Sequence, residues 1–230
     1  MYYLIVMASP NPMSLYEQAA QIGQACAHPK RLQVLVVLSQ AERSVGELAE
    51  LCGLSVAALS AHLQALKRVS LVASRREGKQ IVYRLADPAV YPLVSSLMAS
   101  SRALLPEARE IGRQCLEAPE VLVDATPRTL AADLEAGRVM LLDLRPETEF
   151  AAGHLPGARL FAFAGLLQRL EELPRRRRLV GYCRGPYCLS AVDAVRAAGR
   201  AGVTIKRLPF GVNEWRAAGL PLETGGLSLN

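Results

Sequence analysis

The sequence predicts two domains of different class: a mainly helical one, followed by an α/β one whose sheet is largely parallel. Three observations predict this. A chain of 230 residues exceeds a single domain of ~100–150 residues and gives each of two domains room for its own core. From Ser14 to about Glu117 the apolar residues recur at helical spacing, with one short alternating stretch. Beyond residue 118, short apolar runs of strand length alternate with helical stretches, which is the pattern of a parallel sheet with crossover helices. The boundaries read as a tail at 1–13, a first domain at 14–118 and a second at 119–230. Apolar residues at 51% and charged residues at 21% exclude a disordered chain, and no apolar run approaches the ~18 residues a membrane span needs.

In the first half, Leu15, Ala19, Ile22 and Cys26 mark one helix, and Leu32, Leu35, Val36 and Leu38 mark a second before the polar turn at 40–43. Ser44 with Glu47 three residues on has capping-box spacing, and Val45, Leu48, Ala49 and Cys52 form a short third helix ended by Gly53. Ser55 caps a fourth. There Leu59, Leu63 and Leu66 share one face and leave Ala57, Ser60, Ala61, Gln64 and Arg68 on the other. Leu71 to Arg76 and Gln80 to Leu85 read as a hairpin around Glu77-Gly78-Lys79, with Gly78 supplying positive φ. A long amphipathic segment then runs from Ala89 to Glu117, with a kink or restart at Pro106, and 118–126 reads as a linker.

In the second half, Val139 to Leu144, Leu179 to Tyr182 and Val203 to Leu208 are strand-like, while Leu166 to Leu173 and Ser190 to Ala198 are helical. Arg175 to Arg178 reads as a solvated turn. The start, Met1 to Ala8, has neither a basic lead nor a small-residue cleavage site. A cytoplasmic protein is expected, and Met13 is an alternative start.

Net charge is +6 at pH 7, shared evenly, so bulk charge does not say which half meets a polyanion. Local clustering does, because Lys67, Arg68, Arg75, Arg76, Lys79 and Arg84 face a single acid, Glu77, between 67 and 84. Two short helices joined by a glycine turn form a helix-turn-helix whose second helix enters a major groove, with the hairpin as a wing on the backbone. Base contacts then fall to Ser55, Ser60, His62 and Gln64, and phosphate contacts to Arg68, Arg75, Arg76 and Lys79. Ala27-His28-Pro29-Lys30-Arg31-Leu32, Ser44-Val45-Gly46-Glu47-Leu48-Ala49, Leu54-Ser55 through Leu66 and the Arg76-Glu77-Gly78-Lys79 wing together resemble the arsenic-repressor (ArsR) family of winged-helix regulators. The resemblance implies a homodimer on double-stranded operator DNA, with the first helix and the 89–117 segment at the dimer face, and repression released by a chemical signal. It departs at Val56 and Ala57, where the family often has Gln and a hydroxyl residue, and at Ser44 and Gly46, where the arsenic-binding type has cysteines.

Five cysteines, an odd number, do not suggest a paired framework. Cys26, Cys52 and Cys115 read as small buried hydrophobes; alternatively, Cys26 and Cys115 approach each other at the dimer face and respond to oxidation or metal. Cys183 is different. It follows an apolar strand and opens a helix in Gly181-Tyr182-Cys183-Arg184-Gly185-Pro186-Tyr187-Cys188-Leu189-Ser190, where backbone amides and the helix N-terminus lower a thiol pKa. Cys183 is the expected nucleophile. Arg184 adds a positive charge beside it, and the backbone of Gly185, Pro186, Tyr187 and Leu189 forms the anion cradle.

Leu142-Asp143-Leu144-Arg145, Glu149-Phe150-Ala151-Ala152-Gly153-His154-Leu155-Pro156-Gly157-Ala158, the cysteine loop, and Gly211-Val212-Asn213-Glu214-Trp215 through Pro221 together resemble a single-domain rhodanese. That resemblance implies sulfurtransferase activity, with a sulfane sulfur accepted on Cys183 as a persulfide from a small donor such as thiosulfate, polysulfide or a low-molecular-weight persulfide. The six-residue loop matches sulfur transfer; related phosphatases and arsenate reductases have a longer one. The sixth position, often Arg in rhodaneses, is Cys188 here, which removes a cationic anchor and supplies a resolving thiol. Asp143, Arg145, Glu149 and His154 read as structural support, Trp215 as core, and Tyr182 as packing beneath the loop.

The whole reads as a cytoplasmic, homodimeric regulator of transcription coupled to a sulfur-accepting domain, with no cofactor, no metal and no membrane. Two alternatives stay open. One is a sulfurtransferase that uses the winged helix mainly to dimerise; the other is a metal or metalloid sensor using Cys26, His28 and Cys115.

Overall fold

The computed structural model describes residues 12–118, 121–174 and 176–225. The apolar start falls outside these, as does Arg175 of the arginine turn. Two compact units emerge, one from residues up to 35 together with 42–90, the other from 36–41 together with 91 onward.

In the first unit, α1 (Pro12–Cys26) and α2 (Pro29–Leu38) precede a two-residue strand β1 (Arg43–Ser44) and the helix pair α3 (Val45–Cys52) and α4 (Val56–Arg68). Ser44 caps α3 as its sequence requires: its hydroxyl accepts from the Glu47 amide, and the Glu47 carboxylate accepts from the Ser44 amide at 2.8 Å. These bonds to Ser44 hold the Glu47 carboxyl below its ordinary range. Gly53 ends α3 at φ +60°, in the left-handed region that glycine enters freely. Ser55 then caps α4 through the Ala58 amide at 3.2 Å, and the two helices cross with a bend of 105°. Leu48, Leu59, Leu63 and Leu66 are fully buried and make the core beneath them. The wing is β2 (Val72–Glu77) against β3 (Gln80–Leu85), with Glu77 opposite Gln80 across the Gly78-Lys79 turn. Gly78 at φ +59° meets the turn's demand. β1 pairs with β3, giving sheet order β1-β3-β2; two residues are too few to show alternation, which is why the sequence does not announce it.

In the second unit the long amphipathic segment breaks at Pro106 into α5 (Val90–Leu104) and α6 (Pro106–Cys115), with the proline at the first turn of α6, where its missing N–H costs nothing. α7 (Pro127–Glu135), capped by Thr126, leads into a sheet of β4 (Val139–Asp143), β5 (Arg159–Leu160), β6 (Arg178–Tyr182) and β7 (Ile205–Arg207), in the order β5-β4-β6-β7 with every pairing parallel. α8 (Glu147–Ala152), α9 (Leu189–Arg200) and α10 (Val212–Ala217) complete it.

Central strand β4 is buried along its whole length, and successive residues serve opposite faces. Met140 and Leu142 pack with Leu179, Ala194 and Val195, whereas Val139 and Leu141 pack with Val180, Tyr182, Phe150 and Trp215.

Two expectations are corrected. The 118–126 linker is not a free connection: the Arg207 amide donates to the Val121 carbonyl, the Val123 amide to the Arg207 carbonyl, and Val121 and Val123 are buried. Leu122 forms a single parallel bridge with Arg207 at the edge of the sheet. Leu166 to Leu173 forms 3-10 turns at Phe163–Gly165 and Leu167–Glu172 rather than an α-helix. Among the described residues, no single helix is long and apolar enough to cross a membrane.

Candidate functional site

β6 ends at Tyr182, and the chain turns at Cys183 into a loop that closes at Cys188, the N-cap of α9. This is the crevice at the carboxyl end of a parallel sheet, where ligand sites of such folds concentrate. The two sulfurs lie 2.8 Å apart, and both thiols are free.

They share one proton unequally. The Cys188 thiol is drawn down to about 6, first by the hydrogen bond from Cys183, then by the amides of Ala191 and Arg184 and the charge of Arg184 against the cost of burial. Cys183 is held well above the ordinary thiol range by its bond to Cys188 and by burial. The loop thus favours the anion on Cys188 over one on Cys183, whose residue is 5% exposed. Sequence alone does not reveal this, because it depends on the approach of the two sulfurs and on the amides around them.

Arg184 also differs from expectation. Its Nε reaches both carboxylate oxygens of Glu149 at 3.0 Å and its Nη2 reaches one at 2.7 Å, and Glu149 is fully buried. Its charge is therefore divided between a buried carboxylate and the sulfur pair, and is not a free cation for an incoming anion.

Asp143 and Arg145 form a second buried pair, with Nη2 donating at 2.6 Å, and Arg145 also donates to the Gly153 carbonyl at 2.8 Å. The Tyr182 hydroxyl donates to Asp143 at 2.5 Å and accepts from the Leu155 amide. Burial, then the Asp143 charge, push the Tyr182 phenol well up, so it stays a donor. His154 stacks on Phe150 at 3.7 Å and exchanges backbone bonds with Glu223; it anchors the loop after α8. Trp215 is buried in the core.

Three residues under the loop are not legible as site residues in the sequence. Gly211 approaches so closely that a Cβ there would stand 2.5 Å from the Cys183 carbonyl oxygen and 2.9 Å from the Gly185 nitrogen. Glu214 accepts from the Gly211 amide at 2.8 Å and from the Tyr91 hydroxyl at 2.5 Å. Arg207, 2% exposed, donates to the Pro186 carbonyl inside the loop. Gly211→Ala is expected to displace the loop, slowing alkylation of its thiols by ~10-fold or more with unchanged far-ultraviolet dichroism, since a shift of about 1 Å at a reacting group is felt strongly; wild-type alkylation rates in that variant would remove Gly211 from the site. A separate cavity of about 900 Å³, lined in part by Leu170, Leu173, Arg178 and Lys206, opens at the opposite end of the sheet.

On the first unit, the candidate DNA contacts divide. The Ser55 hydroxyl is used as a cap and the Ser60 hydroxyl donates to the Val56 carbonyl at 2.8 Å. His62 is half-buried, with its ring 4.5 Å from that of His28, and desolvation followed by its cationic neighbours lowers its pKa. Arg75 pairs with Glu42 and Glu77, and Arg76 donates to the Gly78 carbonyl at the wing tip. Gln64, Arg68 and Lys79 are exposed. Lys67 is also exposed, and donates to Ser74 on the wing at 2.8 Å.

Cys26 is buried, which raises its pKa, while Cys115, on α6 in the second unit, is partly exposed. Among the described residues, no group of three or more His, Cys, Asp or Glu side chains is arranged to hold a metal ion.

Comparison with known proteins matches two separate stretches of the chain to two families. Residues 126–218 match the rhodanese-like domain family, and residues 28–74 match the arsR family of bacterial regulatory proteins. The HTH-type transcriptional regulator Rv0324 of Mycobacterium tuberculosis is 43% identical over 94% of this chain and 95% of its own length. The HTH-type transcriptional regulator YgaV of Escherichia coli is 39% identical over 35% of this chain and 83% of its own. Among solved structures, a homodimeric winged helix-turn-helix DNA-binding domain from Mycobacterium bovis is 37% identical, covering 44% of this chain and 95% of that one, with a TM-score of 0.40.

Proposed function

Because the chain belongs to the arsR family of bacterial transcriptional regulators and carries a rhodanese-like domain, we propose that it is a cytoplasmic, homodimeric DNA-binding repressor whose operator affinity is set by sulfane sulfur at the Cys183–Cys188 loop. The observation that carries this reading is the 2.8 Å approach of two free thiols at the end of a parallel strand. Dimerisation is supported by α1, whose Leu15 and Tyr16 are more than two-thirds exposed.

The chemistry follows from the shared proton. The Cys188 thiolate accepts the Cys183 proton, and the Cys183 sulfur attacks the outer sulfur of a persulfide donor, R–S–SH. A sulfur–sulfur bond forms on Cys183, the donor's own bond breaks, and the leaving thiolate takes the proton back from Cys188. The regenerated Cys188 thiolate then attacks Cys183 Sγ and expels hydrosulfide. A Cys183–Cys188 disulfide remains, so the dithiol is oxidised by two electrons as the sulfane sulfur is reduced. A persulfide donor suits the loop better than thiosulfate, because Arg184 is already matched by Glu149 and a dianion would lack its cationic partner.

Intact-mass spectrometry after exposure to a low-molecular-weight persulfide tests the reading. The wild type should gain about 32 Da transiently and settle about 2 Da below its starting mass. Cys188→Ser should keep the gain and lack the later loss, and Cys183→Ser should show neither. In mobility-shift assays, the donor should weaken operator binding by the wild type and not by Cys183→Ser; equal weakening in both would sink the proposal. Lys79→Ala and Arg68→Ala should each reduce the slope of log affinity against log salt by about 1, as loss of one phosphate contact does. An unchanged slope takes that residue off the backbone.

A further inference from the structure

Within the cysteine loop, the Arg184–Gly185 peptide is tied to both sulfur-bearing residues. Cys183 precedes it directly, and the Gly185 carbonyl accepts from the Cys188 amide at 3.3 Å. Two side chains from distant parts of the sequence meet this peptide. Gln40, 7% exposed, donates from Nε2 to the Arg184 carbonyl at 3.2 Å, while its Oε1 accepts from Arg145 Nη1 at 3.1 Å. A guanidinium only donates, so Arg145 fixes which end of the amide is oxygen and turns the NH2 toward the loop. Tyr91 meets Gly185 itself, where an added Cβ would stand 3.1 Å from the Tyr91 hydroxyl. That hydroxyl donates to Glu214, the carboxylate that holds the Gly211 amide. Beside Gln40, the Ser39 hydroxyl accepts from Asn213 Nδ2 at 2.8 Å, on α10.

The position of these residues along the chain gives the contacts their consequence. Residues 36–41 and 91 onward belong to the second unit, and residues up to 35 and 42–90 to the first. Ser39 and Gln40 therefore lie between two passages of the chain from one unit to the other, and Tyr91 directly follows the third. Each passage has, within four residues of it, a side chain bonded to the loop or to its floor.

We propose that Gln40 and Tyr91 are the positioning residues through which the oxidation state of the loop is passed along the backbone to α2 and α5. This rests on the sulfur-loop reading and adds a route to it. The Cys183–Cys188 disulfide closes in the persulfide reaction, or with a thiol oxidant that takes up the two electrons and two protons, and it draws the sulfurs in from 2.8 Å. Gly211 leaves no room beneath the loop, so the 184–185 peptide shifts against Gln40 and Tyr91. A buried amide that loses its acceptor is costly, and the end of α2 rearranges to satisfy it. By linkage, contacts made better in the dithiol also hold the loop reduced.

The test uses the full chain and diamide, a thiol oxidant, so it needs no sulfur donor. A loss of about 2 Da, mapped to the loop peptide, marks the disulfide. Hydrogen exchange is then followed by mass spectrometry in peptides covering 36–42 and 90–97. Oxidation of the wild type should speed exchange in both about tenfold. Gln40→Met/Tyr91→Phe, which keeps the volumes and removes the polar groups, should still lose 2 Da while its exchange changes by less than about twofold. In glutathione buffers the same variant should form the disulfide about tenfold more readily; a merely structural role would lower the unfolding midpoint and leave this equilibrium in place. If the double variant does not fold, Tyr91→Phe alone, which removes one oxygen, should at least halve the wild-type response at 90–97, and a full response overturns the proposal. A loop disulfide that leaves wild-type exchange unmoved overturns this inference alone. If diamide forms no loop disulfide, the sulfur-loop reading fails and takes this inference with it.

Discussion

Arg145→Met is expected to destabilise the second unit by about 3–5 kcal/mol, the cost of stripping a buried carboxylate of its cation. Asp143 and Arg145 are both fully buried, and Asp143 would keep only the Tyr182 hydroxyl and the backbone amide of residue 145. The single tryptophan of the chain, Trp215, is buried in this unit's core and reports its unfolding in urea. The companion Arg145→Met/Asp143→Leu removes both charges and should regain most of the loss, because the penalty comes from the orphaned ion rather than from a lost attraction. A single variant that loses less than about 1 kcal/mol would show that water reaches Asp143 and that the pair does not organise the loop's floor. Tyr182→Phe should cost about 1–2 kcal/mol, since it removes one partner of a buried carboxylate.

How far such features can be read from sequence depends on how local their causes are. Ser44 and Glu47, Gly53, Ser55 and Gly78 act within four residues of themselves, and their caps and turns are where the sequence places them. The largely parallel character of the sheet was legible because β4 and β6 carry uninterrupted apolar runs. α7 and α10 are also signalled locally, by Thr126-Pro127 and by Glu214 reaching back to the Gly211 amide, but each is short and flanked by apolar runs that draw attention first. β1 and the bridge at Leu122 are different. Their partners, Tyr83 and Arg207, lie 40 and about 85 residues away, so no local pattern specifies them.

In the cysteine loop the residue types were legible and the charge state was not. The spacing of Cys183, Arg184 and Cys188 is what suggests the sulfur chemistry proposed above. Whether Arg184 is a free cation depends on Glu149, 35 residues earlier, and on that carboxylate being buried beneath the loop. Arg207 shows the converse. In sequence it is one basic residue at the end of a short strand, and its burial and its bond to the Pro186 carbonyl make it notable. Gly211 reads as part of a family motif, yet its physical reason is the approach of the Cys183 carbonyl, where any side chain would stand.

Cys183→Ala is expected to move the Cys188 thiol from about 6 toward the free-thiol value of about 8.5, because the largest cause of its depression is the hydrogen bond from Cys183. The sign follows from which form that bond favours: an S–H donor stabilises the thiolate, so its removal favours the thiol. At pH 7 a complete shift would lower the thiolate fraction roughly 30-fold, and alkylation of Cys188 should slow by more than ~10-fold, with full rate restored near pH 9. An unchanged midpoint would mean that the amides of Ala191 and Arg184 suffice, and that the two sulfurs titrate independently. If the proton is shared, wild-type behaviour acquires a pH window. The anion that deprotonates Cys183 and later expels hydrosulfide exists above about pH 6 and is lost as pH falls through that value. Release of operator DNA by a persulfide donor should then fade over the same interval with a one-proton slope, while donor-free DNA binding, governed by residues of the first unit, does not share that midpoint.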